Sequence, residues 1–338
     1  MRPGLRRPGV PRGQYVQKVE VDGPAAPPVS ACTYSYGGAV RILRWLLTIL
    51  LVVVLLVTGA SVAYNLATSD PNVPVTKLWR GKFVDGTAYR EWGSHGRPIV
   101  LVGGFLEPSF VWDRVGPILA LRFHVYALDL DGFGYTVRRG PWTLQGWGDQ
   151  VQRFIQALHL HKPIVVGHSL GAAIAVEEAR RGVASEAVLV DGDALSSGGP
   201  PHFVRDALAH SPFLTTAYRV LPRVDWVVKK LLKNAYGPVH PKLDTAELQR
   251  WTDPLRAQDG RKALQGIAEN GIPGFTSSQL HALRVRALVV WGADDNVDSE
   301  SAGRKSALNL NAPFVEVPNA GHLSMLEDPA RVAAAIAR

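Results

Sequence analysis

The sequence of 338 residues contains a single cysteine, Cys32, and this scarcity excludes several kinds of protein. One thiol cannot build an intrachain disulfide framework, a cysteine-rich zinc site or an iron–sulfur cluster. Glycine-rich phosphate loops, dinucleotide-binding fingerprints and zinc-ligand spacings are also missing, so we expect no metal and no organic cofactor. Charged residues make up only 20% of the chain while hydrophobic residues reach 46%, which excludes disorder of the whole chain.

The net charge is distributed unevenly along the chain. Residues 1–44 hold seven Lys and Arg residues and two acidic residues, a net charge of +5, whereas the other 294 residues carry only +3. The basicity belongs to an N-terminal tail, and we therefore expect no nucleic-acid partner for the main domain. Six prolines fall within residues 1–28 and no helical or strand period is visible, so residues 1–44 are predicted to be a disordered tail.

Residues 45–69 contain no charged side chain. A helix of this length extends about 37 Å, which exceeds the roughly 30 Å of a bilayer core. Trp45 and Tyr64 lie near its two ends, where aromatic side chains favour the membrane interface. We therefore predict a single transmembrane helix over residues 45–69, with residues 1–44 in the cytoplasm and the remaining domain outside the cell membrane.

Two other interpretations of the apolar segment stay open. The small residues Ser61, Val62 and Ala63 fit the site of a signal peptidase, which would cut near Ala63 and release a secreted protein. The other alternative is a helix buried in the core of the domain. The long tail before the segment favours an uncleaved anchor over a signal peptide.

Short apolar runs rich in β-branched residues alternate with helical patterns along the rest of the chain. Apolar runs predict strands at residues 98–102, 124–128, 163–166, 187–190, 287–291 and 313–317, and two further strands are predicted at the more polar runs 79–84 and 87–92, which precede them. Asp85-Gly86, between the first two runs, is a hairpin signal. Continuous apolar runs between helices indicate a largely parallel sheet buried on both faces, which is typical of the α/β class.

Residues 196–286 break this alternation, because they hold helical patterns but no good strand. Their clearest feature is an apolar stripe with helical spacing, formed by Val224, Val227, Val228, Leu231 and Leu232. An insertion of this size between two strands predicts a helical cap over the carboxyl ends of the strands, where open α/β sheets bind ligands. Residues 70–195 and 287–338 then form the core, and the stripe is expected to lie over the ligand site or against the membrane.

A candidate nucleophile lies in the sequence Gly167-His168-Ser169-Leu170-Gly171. This G-x-S-x-G pattern follows the apolar run 163–166 and precedes a helical pattern, so Ser169 is expected on a sharp strand-to-helix turn that exposes its hydroxyl. The amino terminus of the following helix helps to stabilise negative charge beside the serine. The alternative interpretation is an ordinary glycine-rich turn between a strand and a helix.

A serine nucleophile needs a base, and the base needs an acid that orients it. His322 lies in a loop that directly follows the last apolar run, and it is the candidate base. Asp294 and Asp295 come directly after the run 287–291, so an acid lies at the end of another strand. The order Ser169, Asp295, His322 along the chain is the order that this class of fold uses.

With these motifs, residues 78–338 resemble the α/β-hydrolase superfamily, specifically its capped esterase, epoxide-hydrolase and dehalogenase-like branch. The resemblance is carried by residues 167–171, 292–295 and 321–322, together with the loop 129–134. It implies an α/β-hydrolase fold, in which a mostly parallel eight-stranded sheet is flanked by helices and a helical cap is inserted before the last two strands.

The resemblance also implies roles for particular residues. The family's acid is the third residue after the glycine at 292, which is Asp295; its neighbours Asp294 and Asp298 are the positions most easily confused with it. Some relatives place the acid after the sixth strand, so Asp191 and Asp193 stay open as alternatives.

An oxyanion hole formed by the backbone N–H groups of Phe105 and Leu170 is implied in the same way. The sequence departs from the family here, because Gly103-Gly104 stands where a His-Gly pair is usual. Glu107 follows this loop, and it is expected to reach the site, to cap a helix near Ser109, or to face solvent.

The sequence therefore predicts a membrane-anchored serine hydrolase that cleaves carboxylic esters of apolar small molecules through an acyl-enzyme, with such an ester and the bilayer as its partners. The same three residues could act on amides, peptides, thioesters or carbon–carbon bonds, or support cofactor-free perhydrolysis. A binding protein without activity is a further alternative, although no member of the expected triad is missing. Aromatic residues expected around the pocket or in the core are Phe105, Phe110, Trp112, Trp226 and Trp251.

Overall fold

The computed structural model describes residue 23 and residues 36–196 and 199–338. The predicted disordered tail lies outside the described residues over 1–22 and 24–35. Residues 36–44 were assigned to that tail, but they are the start of helix α1 (Tyr36–Ala67). Arg41 and Arg44 limit how far an apolar membrane segment extends, yet arginine is a good helix former, so the helix continues beyond that segment.

Helix α1 meets the length and composition requirements of a membrane span over Val40–Ala67. Nearly all of its described side chains are exposed or half-buried, and Ser61 is the exception. A buried core helix is therefore wrong for this segment. A signal sequence near an amino terminus meets the same requirements of length and composition.

Eight strands form a single sheet. They are β1 (Lys82–Val84), β2 (Thr87–Trp92), β3 (Arg97–Val102), β4 (Phe123–Leu128), β5 (Ile164–His168), β6 (Glu186–Val190), β7 (Ala287–Gly292) and β8 (Phe314–Val317). The strand order is β1-β2-β4-β3-β5-β6-β7-β8, and β2 is antiparallel to both of its neighbours while all the other pairs are parallel. The predicted mostly parallel eight-stranded sheet is therefore confirmed.

The hairpin between β1 and β2 forms at the predicted dipeptide. Asp85 and Gly86 have φ angles of +46° and +73°. The two-residue turn that matches the twist of a hairpin requires positive φ at both of its central residues. Asp followed by Gly adopts these angles at low steric cost.

Helices occupy both faces of the sheet and the segment between β6 and β7. Besides α1, they are α2 (Val75–Leu78), α3 (Gly116–Leu119), α4 (Leu144–Ala157), α5 (Leu170–Arg180), α6 (His202–Ala209), α7 (Pro212–Val220), α8 (Asp225–Ala235), α9 (Thr245–Thr252), α10 (Gly260–Asn270), α11 (Ser277–Ala282), α12 (Glu300–Leu310), α13 (Ser324–Glu327) and α14 (Pro329–Ile336). Helices α6 to α11, which we call the cap helices, all lie between β6 and β7.

Two hydrophobic cores lie against the sheet. Side chains of successive strand residues alternate between them: Val100 and Val102 belong to one core, while Ile99 and Leu101 belong to the other. All four side chains are completely buried, as expected for a parallel strand covered on both faces. The sheet is thereby held rigidly, and the loops at the carboxyl ends of its strands are fixed in place.

Candidate active site

Ser169 lies between β5 and α5 in a conformation that side chains rarely adopt. Its φ and ψ angles are +50° and −119°, a strained region that costs about 1–3 kcal/mol. The turn is so tight that a Cβ at Gly167 would lie 1.9 Å from the carbonyl oxygen of Gly171, so a larger residue there would disrupt it. The predicted strand-to-helix turn is present, with Ser169 at its apex.

His322 lies in the loop between β8 and α13, with its side chain almost fully buried. Its Nδ1 is 2.8 Å from Oδ2 of Asp295. The other oxygen of Asp295 accepts hydrogen bonds from the backbone N–H groups of Val297 and Asp298 at 2.8 and 3.0 Å. The carboxylate accepts the Nδ1 proton in this arrangement, which leaves Nε2 of His322 as the basic atom.

Ser169 and His322 line the same cavity, which has a volume of about 490 Å³. The two residues are 153 positions apart in the sequence, and the fold brings them together at the carboxyl ends of β5 and β8. The Ser169 hydroxyl forms no hydrogen bond with any other residue that the structure describes. Contacts of this kind commonly tighten only when substrate binds.

The other carboxylates considered from the sequence lie elsewhere. Asp191 is completely buried and accepts hydrogen bonds from the N–H of Gly292 at 2.7 Å and from the hydroxyl of Ser324 at 2.5 Å. Asp193 accepts from the N–H of Leu195 at 2.9 Å, and Asp294 is exposed. Asp298 contacts Asp295 through its backbone N–H. Among these acids, Asp295 is the one placed against the His322 ring.

The loop after β3 lies directly beside Ser169. A Cβ built on Gly104 would be only 2.8 Å from the Cβ of Ser169. Phe105 follows Gly104 in this loop and Leu170 directly follows the serine, and within the described ranges neither backbone N–H donates a hydrogen bond to another residue. Both groups are therefore available to a negatively charged oxygen beside Ser169.

Glu107 is buried and lines the cavity that contains Ser169 and His322, so it reaches the site, and the expectations of a helix cap or of a solvent-facing side chain are wrong. Its Oε2 accepts the backbone N–H of Gly104 at 2.6 Å and contacts Nδ1 of His168 at 2.7 Å. Asp129 takes the capping role instead, because its carboxylate accepts the N–H of Ser109 at 2.5 Å. Nε2 of His168 in turn lies 2.6 Å from the carbonyl oxygen of His322, to which it donates.

His168 was not predicted as a site residue, although its place in the G-x-S-x-G pattern was the available signal. Burial alone would lower the pKa of His168, but the charge of Glu107 and their hydrogen bond outweigh it and raise this pKa to about 9. Burial likewise opposes ionisation of Glu107, yet the charge of His168 keeps the pKa of Glu107 below its usual value. The pair is therefore ionised, and it ties the Gly104 loop to the His322 loop.

Replacement of Glu107 by Gln should reveal the charge on His168 through stability measured against pH. Because the folded pKa of His168 lies near 9 and the unfolded value near 6.5, the ion pair stabilises the wild type fully below pH 6.5. This contribution is lost as the pH rises through about 9. The difference in Tm between the wild type and Glu107→Gln should therefore be largest near pH 6 and shrink as the pH rises from 6.5 through about 9. A difference that stays constant from pH 6 to 10 would contradict a charged His168; Glu316→Gln, which removes an exposed carboxylate, is the control.

The cavity around Ser169 is predominantly apolar. The predicted stripe on α8 contributes Val227, Val228, Leu231 and Leu232 to its wall, so the stripe lies over Ser169 as expected. Of the aromatic residues named from the sequence, Phe105 and Trp251 line the cavity. Phe110 and Trp112 are buried in the core, whereas Trp226 is exposed. A second cavity of about 570 Å³ shares Phe105 and Leu264 with the first, but it does not include Ser169 or His322.

No cluster of three or more His, Cys, Asp or Glu side chains that could hold a metal ion occurs within residues 36–196 and 199–338.

Comparison with known proteins gives a consistent picture. The model of the alpha/beta hydrolase family matches residues 99–335, which is most of the chain and includes Ser169, Asp295 and His322. An uncharacterized hydrolase of Bacillus subtilis is 25% identical over 265 residues, which cover 75% of this chain and 94% of that protein.

Two further relatives are informative. The 2-hydroxy-6-oxo-6-(2'-aminophenyl)hexa-2,4-dienoic acid hydrolase of Metapseudomonas resinovorans is 28% identical over 255 residues, covering 72% of this chain and 83% of that protein. The crystal structure of a membrane phospholipase A superposes with a TM-score of 0.60 at 24% identity, covering 86% of this chain and 96% of that one. This structural likeness concerns the fold.

Proposed function

Since the chain belongs to the alpha/beta hydrolase family, we propose that it is a serine hydrolase that cleaves carboxylic esters of apolar molecules. The observation that carries the proposal is the hydrogen bond between Asp295 and Nδ1 of His322, beside a cavity that His322 shares with Ser169. The proposed oxyanion donors support it as well, because Phe105 follows the glycine that lies against Ser169 and Leu170 follows the serine itself.

The proposed reaction follows from these positions. Nε2 of His322 takes the proton of Ser169 while the serine oxygen attacks the carbonyl carbon, and Asp295 stabilises the resulting imidazolium. The N–H groups of Phe105 and Leu170 bind the oxyanion, each contributing about 2.7–4 kcal/mol to transition-state stabilisation. His322 then protonates the leaving alcohol, and a water molecule that it deprotonates hydrolyses the acyl-enzyme.

An apolar acyl group is favoured because the cavity wall is built mainly from aliphatic and aromatic side chains. Each buried methylene contributes about 0.8 kcal/mol, which corresponds to a factor of about four. We expect kcat/KM for soluble esters to rise from acetyl to about hexanoyl, and multiply charged esters to be poor substrates. A flat profile over a panel of p-nitrophenyl esters, or a preference for charged peptides, would overturn the ester assignment in favour of an amidase or peptidase.

The second candidate function is hydrolysis of carbon–carbon bonds. It is supported by the relative from Metapseudomonas resinovorans, which is named as a dienoic acid hydrolase. Hydrolysis of a vinylogous diketone acid without hydrolysis of any ester in the panel would favour this alternative. Amide hydrolysis, thioester hydrolysis and perhydrolysis would use the same three side chains. Assays with one substrate of each kind, run beside the ester panel, distinguish these activities from ester hydrolysis.

We further propose that α1 is an uncleaved membrane anchor, with the hydrolase domain on the outer side of the cell membrane. The basic residues before the span support this orientation. Protease added to intact cells should then digest the hydrolase domain. Protection of the domain would reverse the orientation, while release of a shortened soluble protein would favour a cleaved signal peptide.

A further inference from the structure

The last turns of α1 are hydrogen-bonded to the cap. The hydroxyls of Ser61 and Thr216 are 2.6 Å apart, and the side-chain amide of Asn65 donates to the carbonyl of Pro212 at 2.8 Å. Ser61 is the one buried residue in this part of the helix, with 6% of its surface exposed. All four residues belong to the same compact unit, residues 54–338. The end of the apolar helix is thus an integral part of the cap structure.

The segment after α1 is fixed in the same way. Nε of Arg219, at the end of α7, donates to Asp70 at 2.7 Å, and its Nη1 donates to the carbonyls of Asn65 and Thr68 at 2.9 and 2.8 Å. Arg261 on α10 donates to the other carboxylate oxygen of Asp70 at 2.6 Å. Because Arg219 is largely buried, these bonds hold α7 against the carboxyl end of α1 and the segment that follows it.

These contacts set the depth of α7 if α1 spans a bilayer. Ser61 lies six residues before Ala67, which is about 9 Å along the helix axis. The polar interface on each side of a bilayer core is about 5–7 Å thick. With the end of the candidate span at Ala67 taken as the outer edge of the membrane, α7, which contacts both Ser61 and Asp70, lies at the depth of the interface and not above it.

Exposed apolar side chains follow on the same part of the cap. We call Phe213, Leu221, Trp226 and Leu231 the cap rim; their exposed fractions are 44%, 43%, 69% and 64%. Phe213 adjoins Pro212, which accepts the hydrogen bond from Asn65. Leu221 and Leu231 also line the cavity that contains Ser169. The cavity thus reaches the surface among apolar side chains beside the end of α1.

The outer face of α8 carries a tryptophan surrounded by lysines. Trp226, Lys230 and Lys233 have i, i+4, i+7 spacing and lie on one face, and Lys229 lies beside them. All three lysines are exposed. Residues 212–235 contain five basic residues and one acidic residue. Tryptophan favours the bilayer interface, and lysines above it attract anionic lipid phosphates.

From these contacts we propose that the cap rim and the lysines of α8 lie in the interface of an anionic bilayer, and that the catalytic cavity opens onto its acyl chains. The substrates are then long-chain esters dissolved in the bilayer. This inference rests on the proposed ester hydrolysis and membrane anchor, and it specifies the substrate class and its route to Ser169. An ester that enters from the bilayer exchanges one apolar environment for another, so the route avoids transfer of its chain through water.

The first test measures contact with the bilayer independently of activity. Two variants of the full chain are made in a Cys32→Ser background, one with Trp226→Cys and one with Leu308→Cys. The single cysteine of each variant is labelled with an environment-sensitive dye. Leu308 is a matched control because it is also exposed and apolar but lies on α12. In vesicles with about 30% anionic phospholipid, a quencher on the acyl chains should quench the dye at 226 at least about threefold more than that at 308. Equal quenching at the two positions overturns the inference.

The second test separates bilayer substrates from soluble ones. Phe213→Ser combined with Trp226→Ser changes two rim residues that do not line the cavity. Hydrolysis of a long-chain ester embedded in the vesicles should fall about tenfold, while hydrolysis of a soluble butyrate ester stays unchanged. The control pair Leu121→Ser and Leu308→Ser alters leucines elsewhere that are even more exposed, at 78% and 79%, and should change neither rate. Equal loss of both rates, or no loss of either, contradicts the proposed route.

The two tests also distinguish this inference from the proposed function. If the wild type in vesicles hydrolyses no ester but the dye at 226 is selectively quenched, the ester assignment fails and the membrane contact stands. If the soluble ester is hydrolysed and the dye at 226 is not quenched, the enzyme assignment stands and the contact fails.

Discussion

Ser169→Ala should abolish ester turnover and labelling by a fluorophosphonate, because Ser169 is the proposed nucleophile and lines the same cavity as His322, the proposed base. The expected loss in kcat is about 10⁴–10⁶-fold, and His322→Ala should cost nearly as much because the members of such a triad act as a unit. The measurement is a burst assay with an activated ester, together with labelling of the purified full chain.

The fold should be unaffected by this change. Alanine adopts the strained backbone conformation of Ser169 no more easily than serine does, so the Tm should stay within about 2 °C of the wild type. Fluorophosphonate labelling that persists in Ser169→Ala would show that another residue is the nucleophile. Loss of labelling together with a large fall in Tm would instead attribute the effect to unfolding, and Ser169→Cys would then separate the two cases.

Asp295→Asn should lower kcat by about 10⁴-fold while leaving the protein folded. The amide presents an N–H donor to His322, so the imidazole is no longer held with its proton on Nδ1 and its Nε2 is no longer the base. Asp294→Asn is the matched control, because Asp294 is the preceding residue, has the same side chain and is exposed. It should change kcat by less than about twofold. The reverse ranking would show that the orienting acid had been misidentified by one position.

Much of the fold was predictable because the decisive signals are local. Each segment that predicted a strand contains one; the central parallel strands are apolar runs because both of their faces are covered, while the first two strands were marked by the Asp-Gly hairpin signal between them. Ser169 was predictable because the small residues around it are required by the tight turn itself. Local sequence placed an acid and a histidine after two strands, whereas the choice of Asp295 among the neighbouring acids came from the family resemblance; the structure places Asp295 against His322 because β7 and β8 are neighbours in the sheet.

Other features depend on contacts between residues far apart in the sequence. Glu107 and His168 are 61 residues apart, and nothing in the local pattern around either residue indicates that they form a buried ion pair. Glu107 precedes the short 3-10 helix Ser109–Trp112, and this position suggested that it caps the helix. The N–H of Ser109 instead donates to Asp129, which follows the neighbouring strand β4. Similarly, the start of α1 at Tyr36 could not be inferred from hydrophobicity. The apolar pattern marks only the uncharged residues from 45 onward, whereas the helix begins nine residues earlier.

The fixed segment between α1 and α2 has a consequence for how the enzyme searches for its substrate. Seven free residues would span up to about 25 Å and would allow the hydrolase domain to tumble above the membrane. Here Asp70 is held by two arginines, and the N–H of Val73 donates to the carbonyl of Arg256 at 3.1 Å. If α1 is the proposed anchor, the orientational entropy that a flexibly tethered domain would lose on meeting a lipid is already lost when this segment folds against the cap helices.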